Sequence, residues 1–199
     1  MAHIDYYFSV ISPFTYFAGT RVAEIAAKHG ATLTYKPVDI MSLFARTGGT
    51  PPGQRHVSRQ EYRLQEMART SKKTGLPYNP KPAFFPANGA PASYAVIAAQ
   101  QAGGGDMQAL VFGLLRACWI EDRDVADDGV IGDCLEAAGF DRGLKDSGLL
   151  AGAETYTRNL DEAVEAGVFG APFLVCDDGE KFWGCDRLDD LDAHLSGDL

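Results

Sequence analysis

Strand signals stand only near the two ends of this 199-residue chain, and that distribution limits its fold more than any single motif. His3 to Ile11 is rich in aromatic and β-branched residues, as a central strand is. Ser12-Pro13 then supplies a helix cap and a first-turn proline. Phe14, Phe17, Val22, Ile25 and Ala26 follow at mostly helical spacing until Lys28-His29-Gly30, which predicts one helix over about 13–29. Ala31 to Val38 sets Leu33 and Tyr35 against polar neighbours, so the opening unit reads β-α-β with parallel strands. No strand pattern returns before Phe173. There, Pro172 to Cys176 and Lys181 to Trp183 flank Asp178-Gly179, a hairpin turn signal, and Asp186 is expected to cap a last helix carrying Leu188, Leu191 and Leu195 on one face. Joined in one sheet, β-α-β and β-β-α make an α/β, thioredoxin-like fold. Its expected extent is residues 1–41 and 159–199, with an all-helical insertion over 42–158 built from segments around Tyr62, Tyr94, Leu110, Val130 and Leu149.

Charge and cysteine usage narrow the chemistry. A net charge of -9 opposes the basic footprint that nucleic acid requires. No apolar run approaches the roughly 20 residues that cross a bilayer, and no basic segment leads an apolar stretch at the start, so no membrane partner and a cytoplasmic location are expected. Cys118, Cys134, Cys176 and Cys185 form neither a C-x-x-C pair nor a metal spacing with one another, which predicts four thiols and no metal site.

Three short stretches fall at corresponding ends of the expected sheet. Ser12-Pro-Phe-Thr15 occupies the place where a thioredoxin-like redox protein carries C-x-x-C, so dithiol chemistry is excluded there. A helix N-terminus with a serine hydroxyl can still stabilise a thiolate that belongs to a ligand; taken alone, Ser12 reads as a cap. Ala171-Pro172 precedes the hairpin, where a cis proline would turn the backbone of Ala171 toward an extended peptide; taken alone, it reads as a loop proline. Around Cys185-Asp186, backbone N–H groups can hold a carboxylate while the Asp186 side chain meets an ammonium, which together suit an α-amino acid head. A serine hydrolase is a poor reading, because no Gly-x-Ser-x-Gly elbow is present and His3, His29, His56 and His194 show no relation to Ser12.

Ser-Pro-x-x-Tyr after the first strand, Thr-Gly-x-x-Pro-Pro, Gly-Leu-Pro and Phe-Pro-x-Asn in the helical region, then Gly-Val-Phe-Gly-Ala-Pro and Phe-Trp-Gly-x-Asp-Arg-Leu, occur here in order over nearly the whole chain. This set closely resembles the 2-hydroxychromene-2-carboxylate isomerases, of the DsbA-like, kappa-class glutathione transferase group. The resemblance implies glutathione as cofactor, a small aromatic carboxylate as substrate and the possibility of a homodimer. It places Ser12 at the glutathione sulfur, the Ala171 backbone beside cis Pro172 at the cysteinyl part, Cys185 and Asp186 at the γ-glutamyl head, and Phe85 and Asn88 around the substrate. Two positions depart from the pattern. Gly49 stands where relatives commonly have Asn, and Arg59 where they commonly have Lys, so Arg59 would keep the positive charge near the glycyl end with different geometry. Cys185 also replaces a polar residue. Arg59, with Arg46 or Lys81 as further candidates, is also in reach of a substrate carboxylate on this resemblance; taken alone, each reads as a solvated surface charge. The implied reaction interconverts 2-hydroxychromene-2-carboxylate and trans-o-hydroxybenzylidenepyruvate by adding the cofactor's thiolate to a conjugated alkene and eliminating it after rotation. A kappa-like glutathione transferase and a non-catalytic thioredoxin-fold binding module are the alternatives.

Overall fold

The computed structural model describes residues 1–199. Four strands, β1 (His3–Phe8), β2 (Thr32–Pro37), β3 (Phe173–Cys176) and β4 (Lys181–Trp183), form one mixed sheet in the order β2-β1-β3-β4. β1 runs parallel to β2, with Tyr6 opposite Tyr35, and antiparallel to β3, with Tyr6 opposite Leu174; β4 returns antiparallel to β3. Being central, β1 is covered on both faces. Ile4, Tyr6 and Phe8 enter the main core, while Tyr7 enters a smaller one with Val38, Leu43, Ala163, Val168 and Phe173.

The helices are α1 (Pro13–Ala18), α2 (Arg21–Lys28), α3 (Ile40–Thr47), α4 (Val57–Thr74), α5 (Ala90–Ala102), α6 (Met107–Trp119), α7 (Asp128–Ala137), α8 (Leu144–Ser147), α9 (Leu149–Glu165) and α10 (Leu188–Ser196). This is the thioredoxin-like α/β arrangement with helices inserted between β2 and β3. The outer edge of β2 is closed by side chains. Gln100 of α5 accepts the Tyr35 N–H at 2.7 Å and donates to the Tyr35 carbonyl at 3.1 Å, and the buried Asn159 of α9 donates to the Pro37 carbonyl at 3.1 Å. α9 runs unbroken through residue 159.

Several local expectations are corrected. The single helix over 13–29 is two helices, because Gly19 adopts φ 59° and ends α1, and helical structure resumes at Arg21. β1 stops at Phe8, since Ser9 to Ser12 form a turn closed by Ser12 N–H on the Ser9 carbonyl at 3.0 Å. α3 was not foreseen, although Asp39 caps it through Met41 and Ser42 N–H at 2.9 and 3.2 Å and Gly48 ends it at φ 80°. Asp186 caps nothing: a 3-10 turn over Cys185–Arg187 precedes α10, leaving Arg187 at the cap position without a side-chain bond.

Candidate functional site

Hydrogen bonds join the stretches singled out at the sheet end. Ser12 is the N-cap of α1, and its Oγ accepts the Thr15 N–H at 3.2 Å while donating to the Ala171 carbonyl at 3.3 Å. The Ala171–Pro172 peptide bond is cis. One residue on, the Pro172 carbonyl accepts the Gly184 N–H at 3.0 Å, which ties the proline loop to the 3-10 turn carrying Cys185 and Asp186, and α1 packs against that turn. Ser12, Ala171, Pro172, Cys185 and Asp186 are thus brought together from three distant parts of the chain.

The backbone donors left over define what this place can bind. Pro13 has no N–H, Thr15 spends its own on Ser12 Oγ, and Tyr16 donates to the Ser12 carbonyl at 3.0 Å, so Phe14 carries the one open N–H in the first turn of α1. The N–H groups of Ala171, Cys185 and Asp186 donate to no other residue. Because α1 is only six residues long, the macrodipole expected of a helix over 13–29 shrinks to these local donors. Asp186 is exposed, and its carboxylate meets the Arg187 guanidinium at 3.4 Å. The Cys185 side chain packs against the main core, so this position offers its backbone; burial first, then the adjacent Asp186, pushes the thiol up to about 11.

α4 lies over the same end, with Glu66 and Lys73 among the charges felt by Cys185. Arg59 is exposed and unpaired. The sequence reading missed its neighbours Arg55 and Arg63, which are half-buried and also lack acidic partners. Burial, then Arg55, holds Arg63 below the usual arginine range, and burial, then Arg59, does the same to Arg55. Their signal was present in the sequence as arginines four apart, at 55, 59 and 63, the last two one turn apart on α4 and Arg55 just before its start. The Gly49 departure has a physical counterpart as well. A Cβ there would stand 2.5 Å from the Phe44 ring, and that ring lies 5.7 Å from the Arg55 guanidinium, whose Nε donates to the Thr50 carbonyl at 2.7 Å. At the position where the family resemblance leads one to expect an amide, the Phe44 ring fills the space and faces the Arg55 guanidinium.

Phe85 and Asn88 sit differently from each other. The Phe85 ring packs on Trp119, with centroids 4.9 Å apart, inside the helical core. Asn88 is exposed and accepts the Ala90 N–H at 3.1 Å at the start of α5. The loop nevertheless borders the site, since a Cβ on Gly89 would stand 2.9 Å from Val10 Cγ2. Arg46 is engaged by Asp161 at 2.6 Å, whereas Lys81 is exposed and unpaired. A recess of about 360 Å³ lies elsewhere, between β2, α5 and α9. Of its two cations, Lys36 is bound by Asp5 and Glu162 at 2.8 and 2.9 Å and Arg158 meets Glu162 at 3.6 Å.

The family described as DSBA-like thioredoxin domain matches residues 3–196. A 2-hydroxychromene-2-carboxylate isomerase of Sphingobium xenophagum is 30% identical over 195 residues, covering 96% of this chain and 97% of that protein. The chain belongs to the 2-hydroxychromene-2-carboxylate isomerase family of DSBA-like domains. A solved structure of a family isomerase superposes with a TM-score of 0.77 at 27% identity, covering 98% of this chain and 95% of that one. Glutathione S-transferase kappa 1 of Caenorhabditis elegans is 25% identical over 218 residues, covering 100% of this chain and 91% of that protein. No helix of this family member is long and apolar enough to cross a membrane.

Proposed function

We propose that this chain is a glutathione-dependent cis-trans isomerase acting on 2-hydroxychromene-2-carboxylate or a similar aromatic catabolite, working in the cytoplasm. The observation that carries this reading is the Ser12–Ala171 hydrogen bond beside a cis proline, at a position where neither residue 12 nor residue 15 is cysteine. A thioredoxin-like site with no cysteine at residue 12 or 15, but with a hydroxyl held by one long donated bond and with open backbone N–H groups, suits a thiol tripeptide. The residues present fit it. Ala171 N–H can pair with the cysteinyl backbone, Cys185 and Asp186 N–H with the γ-glutamyl carboxylate, the Asp186 carboxylate with its ammonium, and Arg55, Arg59 and Arg63 with the glycyl carboxylate.

When bound, glutathione supplies a thiolate able to add reversibly to a conjugated alkene. Ser12 and the Phe14 N–H stabilise negative charge at the sulfur position, which favours thiolate over thiol. The Ser12 bond to Ala171 is long, so its hydrogen turns to a new acceptor at small cost while Thr15 N–H keeps the lone pair occupied. Asn88 and the loop from Phe85 border the space left for substrate, and the exposed Lys81 is a candidate for its carboxylate.

The kappa-class relative favours a second reading, in which the conjugate is kept as product. Thiol accounting separates the two. With glutathione well below substrate, the isomerase reading expects many turnovers by ultraviolet absorbance at constant thiol titre. Thiol loss matching product formation means a transferase, and a failure of glutathione to bind at millimolar concentration means a binding module.

A further inference from the structure

The opposite end of β3 gathers three donors of different chemistry. Cys176 ends β3, Asp178 lies in the β3–β4 turn and His194 lies in the last turn of α10; the cysteine sulfur, a carboxylate oxygen and a ring nitrogen are all within 4.8 Å of one another. Each is held by its surroundings. Cys176 N–H donates to the Glu180 carbonyl at 2.9 Å and Gly179 N–H to the Cys176 carbonyl at 2.9 Å, which closes the hairpin. Asp178 Oδ1 accepts the Glu180 N–H at 3.0 Å, leaving Oδ2 to meet His194 Nε2 at 2.8 Å. The imidazole lies against Phe182, centroids 5.5 Å apart, with 16% of its side chain exposed. A carboxylate oriented through one oxygen and a packed imidazole are the supports that a metal ligand set needs.

An Asp–His pair beside a core cysteine would account for two of these groups but leaves the charge unexplained. Asp177 and Glu180 flank the cluster, and neither they nor Asp178 is paired with a lysine or arginine. We propose that Cys176, Asp178 and His194 form a site for a divalent transition metal, Zn²⁺ in particular, that fastens the β3–β4 hairpin to α10. One thiolate, one imidazole and one carboxylate match zinc and not the all-oxygen preference of Mg²⁺ or Ca²⁺. Tetrahedral Zn²⁺, with Zn–S about 2.3 Å and Zn–N about 2.0 Å, holds its ligand atoms roughly 3.2–3.8 Å apart, so the Asp–His pair opens by a few tenths of an ångström and the sulfur closes in. The thiol proton leaves to solvent, and water takes the fourth position. Cys176 lies four residues beyond Pro172 along an extended strand, roughly 13 Å at about 3.3 Å per residue, so this site is separate from the one at Ser12.

Cobalt is the probe. The full chain, stripped by a chelator and titrated with Co²⁺, is expected to give a near-ultraviolet sulfur-to-cobalt band saturating at one equivalent and displaced by Zn²⁺. Cys176→Ser should lose the band, Cys185→Ser should keep it, and His194→Gln should bind at least about tenfold more weakly. Zn²⁺ should raise the thermal midpoint of the unmodified chain and not that of His194→Gln. Absence of the band, or a band unchanged in Cys176→Ser, overturns the proposal. Should Cys176→Ser fail to fold, undiminished affinity in His194→Gln with unaltered far-ultraviolet circular dichroism overturns it equally.

Discussion

Ser12 can cap a helix and serve a ligand at once because the two tasks use different parts of one hydroxyl. Its lone pair receives Thr15 N–H and its hydrogen points at Ala171. The cap was legible from Ser-Pro alone; the partner 159 positions away was not, because nothing local to either residue encodes that pairing. Cys185 shows the converse. Its place in the sequence suggests a side chain facing a ligand, yet the fold turns the sulfur inward, where burial and then Asp186 raise its pKa to about 11. At pH 8 an ordinary cysteine near 8.5 is partly thiolate, so Cys185 in the folded chain should react with iodoacetamide about a hundredfold more slowly than free cysteine. Mass spectrometry of the labelled peptide checks this, and labelling within a few-fold of the free rate would show an open thiol instead.

Among the elements, α9 and α5 approach closely enough for a single substitution to probe their contact. A Cβ at Gly152 would stand 2.7 Å from Tyr94 Cβ and 2.9 Å from its Cα, and main-chain atoms cannot step aside as a side-chain tip can. Helix propensity alone would favour Ala by about 1 kcal/mol. Overpacking against backbone outweighs that, so Gly152→Ala should lose roughly 1–3 kcal/mol in a denaturant titration with unchanged slope; equal or greater stability would contradict the packing. Half-buried Arg63 on α4 and half-buried Arg55 just before that helix have no carboxylate partner and repel each other, so Arg63→Met should leave the ligand-free protein as stable or more stable while weakening glutathione about tenfold by calorimetry. A loss of stability with unchanged affinity would make Arg63 a structural residue. Helix periodicity disclosed most of these elements. It failed at Gly19, where spacing continues but the backbone turns, and at Ile40–Thr47, where a cap and a glycine stop enclose only two turns.

For the molecule as a whole, strands confined to the two ends of the chain force both ends into one sheet, and the site follows from that closure. β1 at the centre carries Ser12 just past its end, β3 beside it begins just after Ala171-Pro172, and β4 leads into Cys185-Asp186. That much could be derived from strand patterns and turn signals. What could not was the way the inserted helices fold back, which sets Arg55 and Arg63 over one end of the sheet, and the way α10 carries His194 to Cys176 at the other. In an acidic chain of net charge -9, this arginine cluster without acidic partners is a local positive region, as the proposed glycyl carboxylate contact requires. On the proposed function, this protein supplies the hydroxyl and the open N–H groups while glutathione supplies the sulfur. Titrating the ultraviolet absorbance of the bound thiolate against pH tests it most directly. The unmodified chain should hold roughly ten times more thiolate at pH 7 than free glutathione does, and Ser12→Ala should return it toward the free value while still binding the tripeptide. Bound glutathione that ionises as it does in water, equally in both proteins, would contradict the account.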